Sequence, residues 1–210
     1  MESNQSTDTQ DVGTPVAKYD AAYSSLKDFK HEPNGFLMRC LERIAPHGVA
    51  AGSRALDLGV GQGRNAILLA QLGYDTLGID RSEIGVAAVR HNAEELGCQL
   101  RAQVADAATY NFGCDCWDLV ALLYYPLPIL LIDRIKAAVR PGGHIIVERF
   151  SQKKDTVGPD GEDAKLPNPM LRYFQDWNVL HYEHGVFQSD WHWSGESPTG
   201  LIVRLLARKP

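Results

Sequence analysis

From Arg54 onward, short apolar runs alternate with stretches whose apolar positions recur at helical spacing. Ala55–Leu58, Asp75–Ile79, Leu100–Val104, Leu119–Leu122 and His144–Val147 read as strands. Between them, Arg64–Leu72, Glu83–Leu96 and a segment near Pro128–Ala138 read as helices. Parallel strands need a crossover, usually helical, so this alternation predicts βαβ units and five parallel strands. The pattern changes near the C-terminus. Val179–Asp190 and Leu201–Ala207 are long strand-like runs separated only by the turn-rich segment Ser194–Gly200, which predicts an antiparallel pair. Ahead of the sheet, Val16–Leu26 carries Ala17, Tyr19, Ala22, Tyr23 and Leu26 at mixed three- and four-residue spacings. Phe36–Ile44 places Phe36, Leu37, Cys40, Leu41 and Ile44 on one helical face and stops at Pro46 and Gly48. Pro33-Asn34-Gly35 and Arg140-Pro141-Gly142-Gly143 mark turns.

Two segments escape both periods. Met1–Gly13 is polar and acidic without an apolar core, which predicts a disordered arm before a single domain over residues 14–210 and excludes a secretory signal. Ser151–Asn168 is rich in Lys, Asp, Gly and Pro, and it is long for a connection in a compact domain. Because it leaves the fifth strand on the side of the glycine loop described below, it is expected to act as a lid that orders over a substrate.

Composition narrows the classes. With 44% hydrophobic and 22% charged residues, the 210-residue chain is an ordinary globular one. The formal charge of −5 provides no footprint for a phosphate backbone or an anionic membrane surface, so nucleic acid is not an expected partner. The longest apolar run, Leu119–Ile132, is too short for a bilayer and is broken by Pro126 and Pro128, so no membrane span is expected. The four cysteines lack a framework spacing, which fits free thiols in a reducing cytosol. Cys114 and Cys116 form a C-D-C pair, but no second pair completes a tetrahedral zinc site and no metal is expected.

Chemistry concentrates in ALDLGVGQGRNA, residues 55–66, an apolar strand ending at Asp57 and followed by Gly59, Gly61 and Gly63 before a helix. Glycines between a strand and a helix permit a sharp turn and a close backbone approach to a ligand. A dinucleotide loop favours a third glycine one place later, where Arg64 stands, and a carboxylate beside the cradle repels pyrophosphate. The same carboxylate suits a ligand bearing an ammonium and a sulfonium and no phosphate, as S-adenosylmethionine (SAM) does. Asp80 ends the next apolar run, where an acid can accept from both ribose hydroxyls; its competing role is to cap the following helix, a role open also to Ser82. Asp106 follows the third strand at the edge of the same cleft and can accept from an adenine amino group, or simply shape a turn.

The succession of ALDLGVGQGRNA, GID at 78–80, VADA at 104–107, CWDLVALL at 116–123 and RPGGHIIVERF at 140–150 resembles class I SAM-dependent methyltransferases over nearly everything from Tyr19 onward. EPNGFL at 32–37, GRNA at 63–66 and LPNPMLRYFQDWNVLHYEH at 166–184 resemble the small tellurite-resistance type within that class. The resemblance implies an α/β, Rossmann-like, mostly parallel sheet of order 3-2-1-4-5-7-6 with the last strand antiparallel and helices on both faces. It implies that Asp57, Gly59 and Gly61 line the methionine end of SAM, Asp80 the ribose, and Asp106 with Ala107 the adenine, with Arg81 also among the cofactor-binding residues. Leu122 would lie under the cofactor, Arg64 and Asn65 at the start of the first crossover helix, and Tyr19 and Tyr23 over the top. Val60 departs from the pattern, since many relatives carry Cys or a smaller residue there. Leu123-Tyr124-Tyr125-Pro126 lacks the polar-Pro-Pro-aromatic motif of nucleic-acid amino methyltransferases, which argues against DNA adenine methylation.

The implied activity is methyl transfer from SAM to a small-molecule acceptor, with a soft or metalloid nucleophile as the class suggested by the finer match. A natural-product or protein side-chain methyltransferase uses the same loop, and a nicotinamide-dependent reductase or a non-catalytic SAM-binding subunit are the readings from other classes. Tyr124, Tyr125, Arg149, His181 and His184 near the strand tips are candidate acid–base groups, each with an ordinary packing or surface role as its alternative. These motifs encode neither the acceptor nor the oligomeric state.

Overall fold

The structure, a computed structural model, describes residues 16–25, 32–125, 127, 129–151, 168, 170–190 and 198–210. The expected arm, most of the expected lid and residues 194–197 of the turn-rich segment lie outside the described residues, while Thr199 and Gly200 belong to the last strand. Helices α1 (Val16–Ser25) and α2 (Gly35–Ile44) precede β1 (Arg54–Leu58), α3 (Arg64–Gln71), β2 (Asp75–Asp80), α4 (Glu83–Glu95) and β3 (Arg101–Val104). Then follow β4 (Trp117–Leu123), α5 (Ile129–Ala138), β5 (Val139–Phe150), a 3-10 turn (Leu171–Phe174), β6 (Asn178–Gln188) and β7 (Thr199–Arg208). One seven-stranded sheet has the order β3-β2-β1-β4-β5-β7-β6, and β7 runs antiparallel to both its neighbours. This is the expected Rossmann-like architecture.

Side chains alternate across the sheet with period two, and each set meets its own helices. Leu56, Leu58, Val120, Leu122, Ile145, Val147, Val203 and Leu205 pack with Leu131, Ile132 and Ile135 of α5 and with Phe174 and Trp177. Ala55, Leu119, Ala121, Leu123, Ile146 and Leu206 pack with Leu69 of α3 and with Phe36, Leu37, Cys40 and Leu41 of α2. A ten-residue helix is marginal alone, but burying large apolar side chains at about 1.5–3 kcal/mol each holds α2 in place. Asn34 caps it, accepting from the Leu37 N–H at 2.7 Å.

Two expectations need correcting. Arg140–Gly143 is no separate turn but part of β5: Trp117 pairs with Val139 and Leu119 with His144, so the segment bulges out of the ladder. Gly142, at φ 81°, permits the bend, and Gly142 N–H and Gly143 C=O are both bonded to Lys209, so tertiary pairing absorbs the local turn chemistry. The 3-10 turn at Leu171–Phe174 carries no sequence period of its own and was not expected. No helix among the described residues is long and apolar enough to cross a membrane.

Candidate cofactor site

The glycine loop leaves the carboxyl end of β1 and closes on α3. Gly59, Gly61 and Gly63 all lie at positive φ (76°, 55° and 96°), the region that favours glycine. The N–H groups of Gly59 and Val60 both donate to Ile79 C=O, and Gly63 N–H donates to Val60 C=O, so the loop is tied to β2 and to itself. Val60, the departure noted above, is accommodated by Gly78, where an added Cβ would lie 2.5 Å from the Val60 side chain. A Cβ on Gly59 would come within 2.5 Å of the Tyr125 ring. Gly59→Ala therefore combines left-handed strain of about 1–2 kcal/mol with displacement of Tyr125, and the melting temperature is expected to fall by about 3–8 °C. A melting curve superposing on that of the wild type would show that the loop relaxes freely.

Asp57 is 2% exposed, and its Oδ2 finds no hydrogen-bond partner among the described residues. Burial pushes its pKa up to about 7; Arg64 and the Ala66 N–H act against this rise, while Asp80 adds to it. A buried carboxyl with an unpartnered oxygen beside a glycine cradle is a site awaiting a donor.

Each oxygen of Asp80 accepts from a backbone N–H, Oδ2 from Gly61 and Oδ1 from Ser82, both at 2.9 Å. Ser82, not Asp80, caps α4, accepting from Gly85 N–H at 3.0 Å. Burial raises the Asp80 pKa, against the two N–H donors. Asp106 accepts from Ala108 N–H at 2.9 Å in a local turn and lies 3.6 Å from Arg81 in an exposed ion pair. Ala107 and Leu122 are both packed into the main core, Leu122 in register between Leu58 and Val147.

Three tyrosines surround the loop. Tyr19 and Tyr23 of α1 stack at 6.5 Å, and the Tyr23 hydroxyl reaches to 3.0 Å of where a Gly61 Cβ would be. The helix is fastened by Ser82, which donates to Asp20 at 2.5 Å. Tyr125 approaches from the tip of β4, and burial pushes its phenol up to about 12. Tyr124 beside it adopts φ 57°, an uncommon conformation for an aromatic residue, as the chain leaves the strand.

A polar hub that sequence reading missed adjoins the cradle. Buried Asn34 donates through Nδ2 to Glu148 at 2.5 Å and to Asp190 at 3.1 Å, and its N–H donates to Asn65 Oδ1 at 2.8 Å. Asn65 thereby faces the segment before α2. Glu148, 1% exposed, also accepts from Arg204 at 2.8 Å, so its charge is paired. Asp190 accepts from Gly35 N–H at 2.8 Å and from Arg64 at 2.9 Å, and Arg64 donates further to Glu32 C=O at 3.2 Å. Of the remaining acid–base candidates, Arg149 donates to Leu127 C=O, and His181 lies against Phe36 with its Nε2 3.1 Å from Glu183; the Nε2 atoms of His181 and His184 are buried without a hydrogen-bond partner among the described residues. His184 lies within β6, in register with Val203. The four cysteines are free thiols, and no cluster of three or more His, Cys, Asp or Glu suited to a metal occurs among the described residues.

Residues 55–143 match the family described as "Methyltransferase domain". The chain is similar to Hemagglutinin 1 of Eikenella corrodens, 29% identical over 197 residues that cover 87% of this chain and 63% of that protein. It is similar to a ribosomal protein L11 methyltransferase of Ralstonia pickettii, 31% identical over 145 residues that cover 68% of this chain and 47% of the relative. The chain thus spans about half to two thirds of the length of these relatives. Among solved structures, TehB from Haemophilus influenzae shares the fold, with a TM-score of 0.69 and 21% identity over 91% of this chain and 67% of that one.

Proposed function

We propose that the chain carries a class I SAM-dependent methyltransferase domain and transfers the methyl group of SAM to a small-molecule acceptor, a reading supported by the family match over residues 55–143 and by the shared fold. The observation that carries the reading is the unpartnered Oδ2 of buried Asp57 beside three positive-φ glycines. An ammonium supplies both the missing donor and the charge that ionises the carboxyl, and the space without Cβ atoms admits the chain attached to it. Asp57 would hold the amino group, the loop the methionine chain, Asp80 the ribose, and Asp106 with Ala107 the adenine, under Tyr19 and Tyr23. When bound, SAM supplies a methyl carbon activated by its sulfonium. The protein then has to align the acceptor and exclude water.

The acceptor class follows from the groups at the strand tips. Burial holds the Tyr125 phenol near 12 and raises that of Tyr124, so neither is a phenolate base at neutral pH. Arg149 is engaged by Leu127 C=O, and His181 and His184 stand on the edge strand β6, with three strands between them and β1. A site without an evident base among its described residues suits a nucleophile that needs no deprotonation, which supports a thiolate, halide or chalcogen oxyanion. This agrees with the resemblance of 32–37, 63–66 and 166–184 to the tellurite-resistance type. The relatives named as ribosomal protein methyltransferases represent the alternative of a protein side chain.

An acceptor panel of thiols, halides, selenite, tellurite, phenols and amines, scored by S-adenosylhomocysteine release, tests the proposal. Turnover is expected with the soft acceptors. Turnover with amines or phenols alone would overturn the acceptor class, and tight S-adenosylhomocysteine binding without any turnover would mark a non-catalytic SAM-binding subunit.

A further inference from the structure

We propose that Asp190 is a positioning residue for the cofactor site, holding the Arg64 guanidinium at the start of α3 where it serves the carboxylate of an amino-acid-bearing ligand in the glycine cradle. The inference rests on the cofactor reading above and adds to it a residue far away in sequence, beyond the end of β6.

Arg64 immediately follows Gly63, the last glycine of the loop, and begins α3, whose Ala66 N–H donates to Asp57. A free arginine would sample many rotamers there, and ordering it on binding would weaken the ligand's hold. Here two partners fix it, Asp190 Oδ1 at 2.9 Å and Glu32 C=O at 3.2 Å. Asp190 is fixed in turn: Oδ2 accepts from Gly35 N–H at 2.8 Å, and Oδ1 accepts from Asn34 Nδ2 at 3.1 Å. Asn34 is buried and anchored by α2, Glu148 and Asn65. The clamp therefore runs unbroken from the core to the guanidinium.

An ordinary surface ion pair would be worth little and would require no such support. The Arg64 side chain is 15% exposed, however, and two bonds use only part of a fork with five N–H donors. Its positive charge also reaches Asp57, where it opposes the effect of burial. A guanidinium so held at the start of α3, next to the glycine loop and with donors to spare, is positioned for the carboxylate half of the ligand's amino-acid zwitterion.

The test compares SAM with decarboxylated SAM, which keeps the ammonium and the sulfonium and lacks only the carboxylate. Calorimetry on wild type, Asp190→Asn, Arg64→Met and the double variant should show Asp190→Asn weakening SAM about tenfold. Decarboxylated SAM should change by less than about twofold, and the double variant should bind SAM no more weakly than Arg64→Met alone. Equal losses for both ligands would make Asp190 a structural residue and overturn the inference, as would no loss for either. Should Asp190→Asn not fold, Asp190→Glu, which keeps the charge at a longer reach, must show the same carboxylate-selective loss for the inference to stand. A wild type that binds neither ligand would instead overturn the cofactor reading itself.

Discussion

Asp57→Asn should weaken binding of SAM and its product strongly and yet make the ligand-free protein more stable at neutral and alkaline pH. Burial raises the Asp57 pKa to about 7 in the folded chain, whereas the unfolded chain keeps the ordinary value of 3.8. Between those values the folded state holds a proton that the unfolded state has released. The stability associated with the protonated carboxyl is fully present below the unfolded pKa and is lost as pH rises through the folded one. At pH 8 the protein must carry a buried carboxylate with one unpartnered oxygen, offset mainly by Arg64 and the Ala66 N–H. Asparagine has the same shape and no charge at any pH. The stability gap between variant and wild type should therefore be small near pH 4 and grow to about 1–3 kcal/mol by pH 8, a rise of about 2–10 °C in melting temperature. Affinity moves the other way. The amide keeps an acceptor oxygen but brings no negative charge to the ammonium, so S-adenosylhomocysteine binding should weaken by about two orders of magnitude. Wild-type affinity should itself increase from pH 6 to pH 8, because only the ionised carboxyl attracts the ligand. Melting curves and calorimetry across pH 4–8.5 check each part. A melting difference that does not vary with pH would show that Asp57 is not the buried titrating group.

The fold and the glycine loop were readable from sequence for the same reason: both are written locally. Strand and helix periods fix the βαβ succession, and a loop that needs three positive-φ positions must spend glycines at fixed places after a strand. The acids at the ends of β1 and β2 lie next to those signals. The hub is written non-locally. Asn34 meets Glu148 across 114 positions and Asp190 across 156, and no window shows such a pairing. One local sign did exist, since Glu148 interrupts the apolar run of β5, and a charge in a buried strand requires a partner. The sequence could not say that the partners would be the cap of α2 and an arginine on β7. Asp106 shows the opposite case. Its turn-forming role, offered by sequence as the plainer alternative, is present in the structure as the bond from Ala108 N–H.

Asp80→Ala should weaken S-adenosylhomocysteine binding by about one to a few orders of magnitude and should also lower stability, because the carboxylate does two things at once. It holds the loop closed by accepting from Gly61 N–H and Ser82 N–H, one on each oxygen. A carboxylate has about four lone-pair sites, so two remain for a pair of ribose hydroxyls. Alanine removes all four. Ser82 still caps α4, so the helix should survive, and the loss should concentrate in the loop, where two N–H groups lose their acceptor at about 1–3 kcal/mol each if water cannot replace it. Asp80→Asn separates the roles. Its single carbonyl oxygen can satisfy one N–H while its amide nitrogen opposes the other, so the loop should be about as damaged as in the alanine variant. One acceptor oxygen nevertheless remains within reach of the ribose. Adenosine, which has the ribose but not the amino-acid chain, serves as the second ligand. If Asp80 binds ribose directly, adenosine affinity should fall in the order wild type, Asp80→Asn, Asp80→Ala. If it only shapes the loop, both variants should lose S-adenosylhomocysteine affinity to a similar degree and bind adenosine as the wild type does, and that result would remove the ribose assignment.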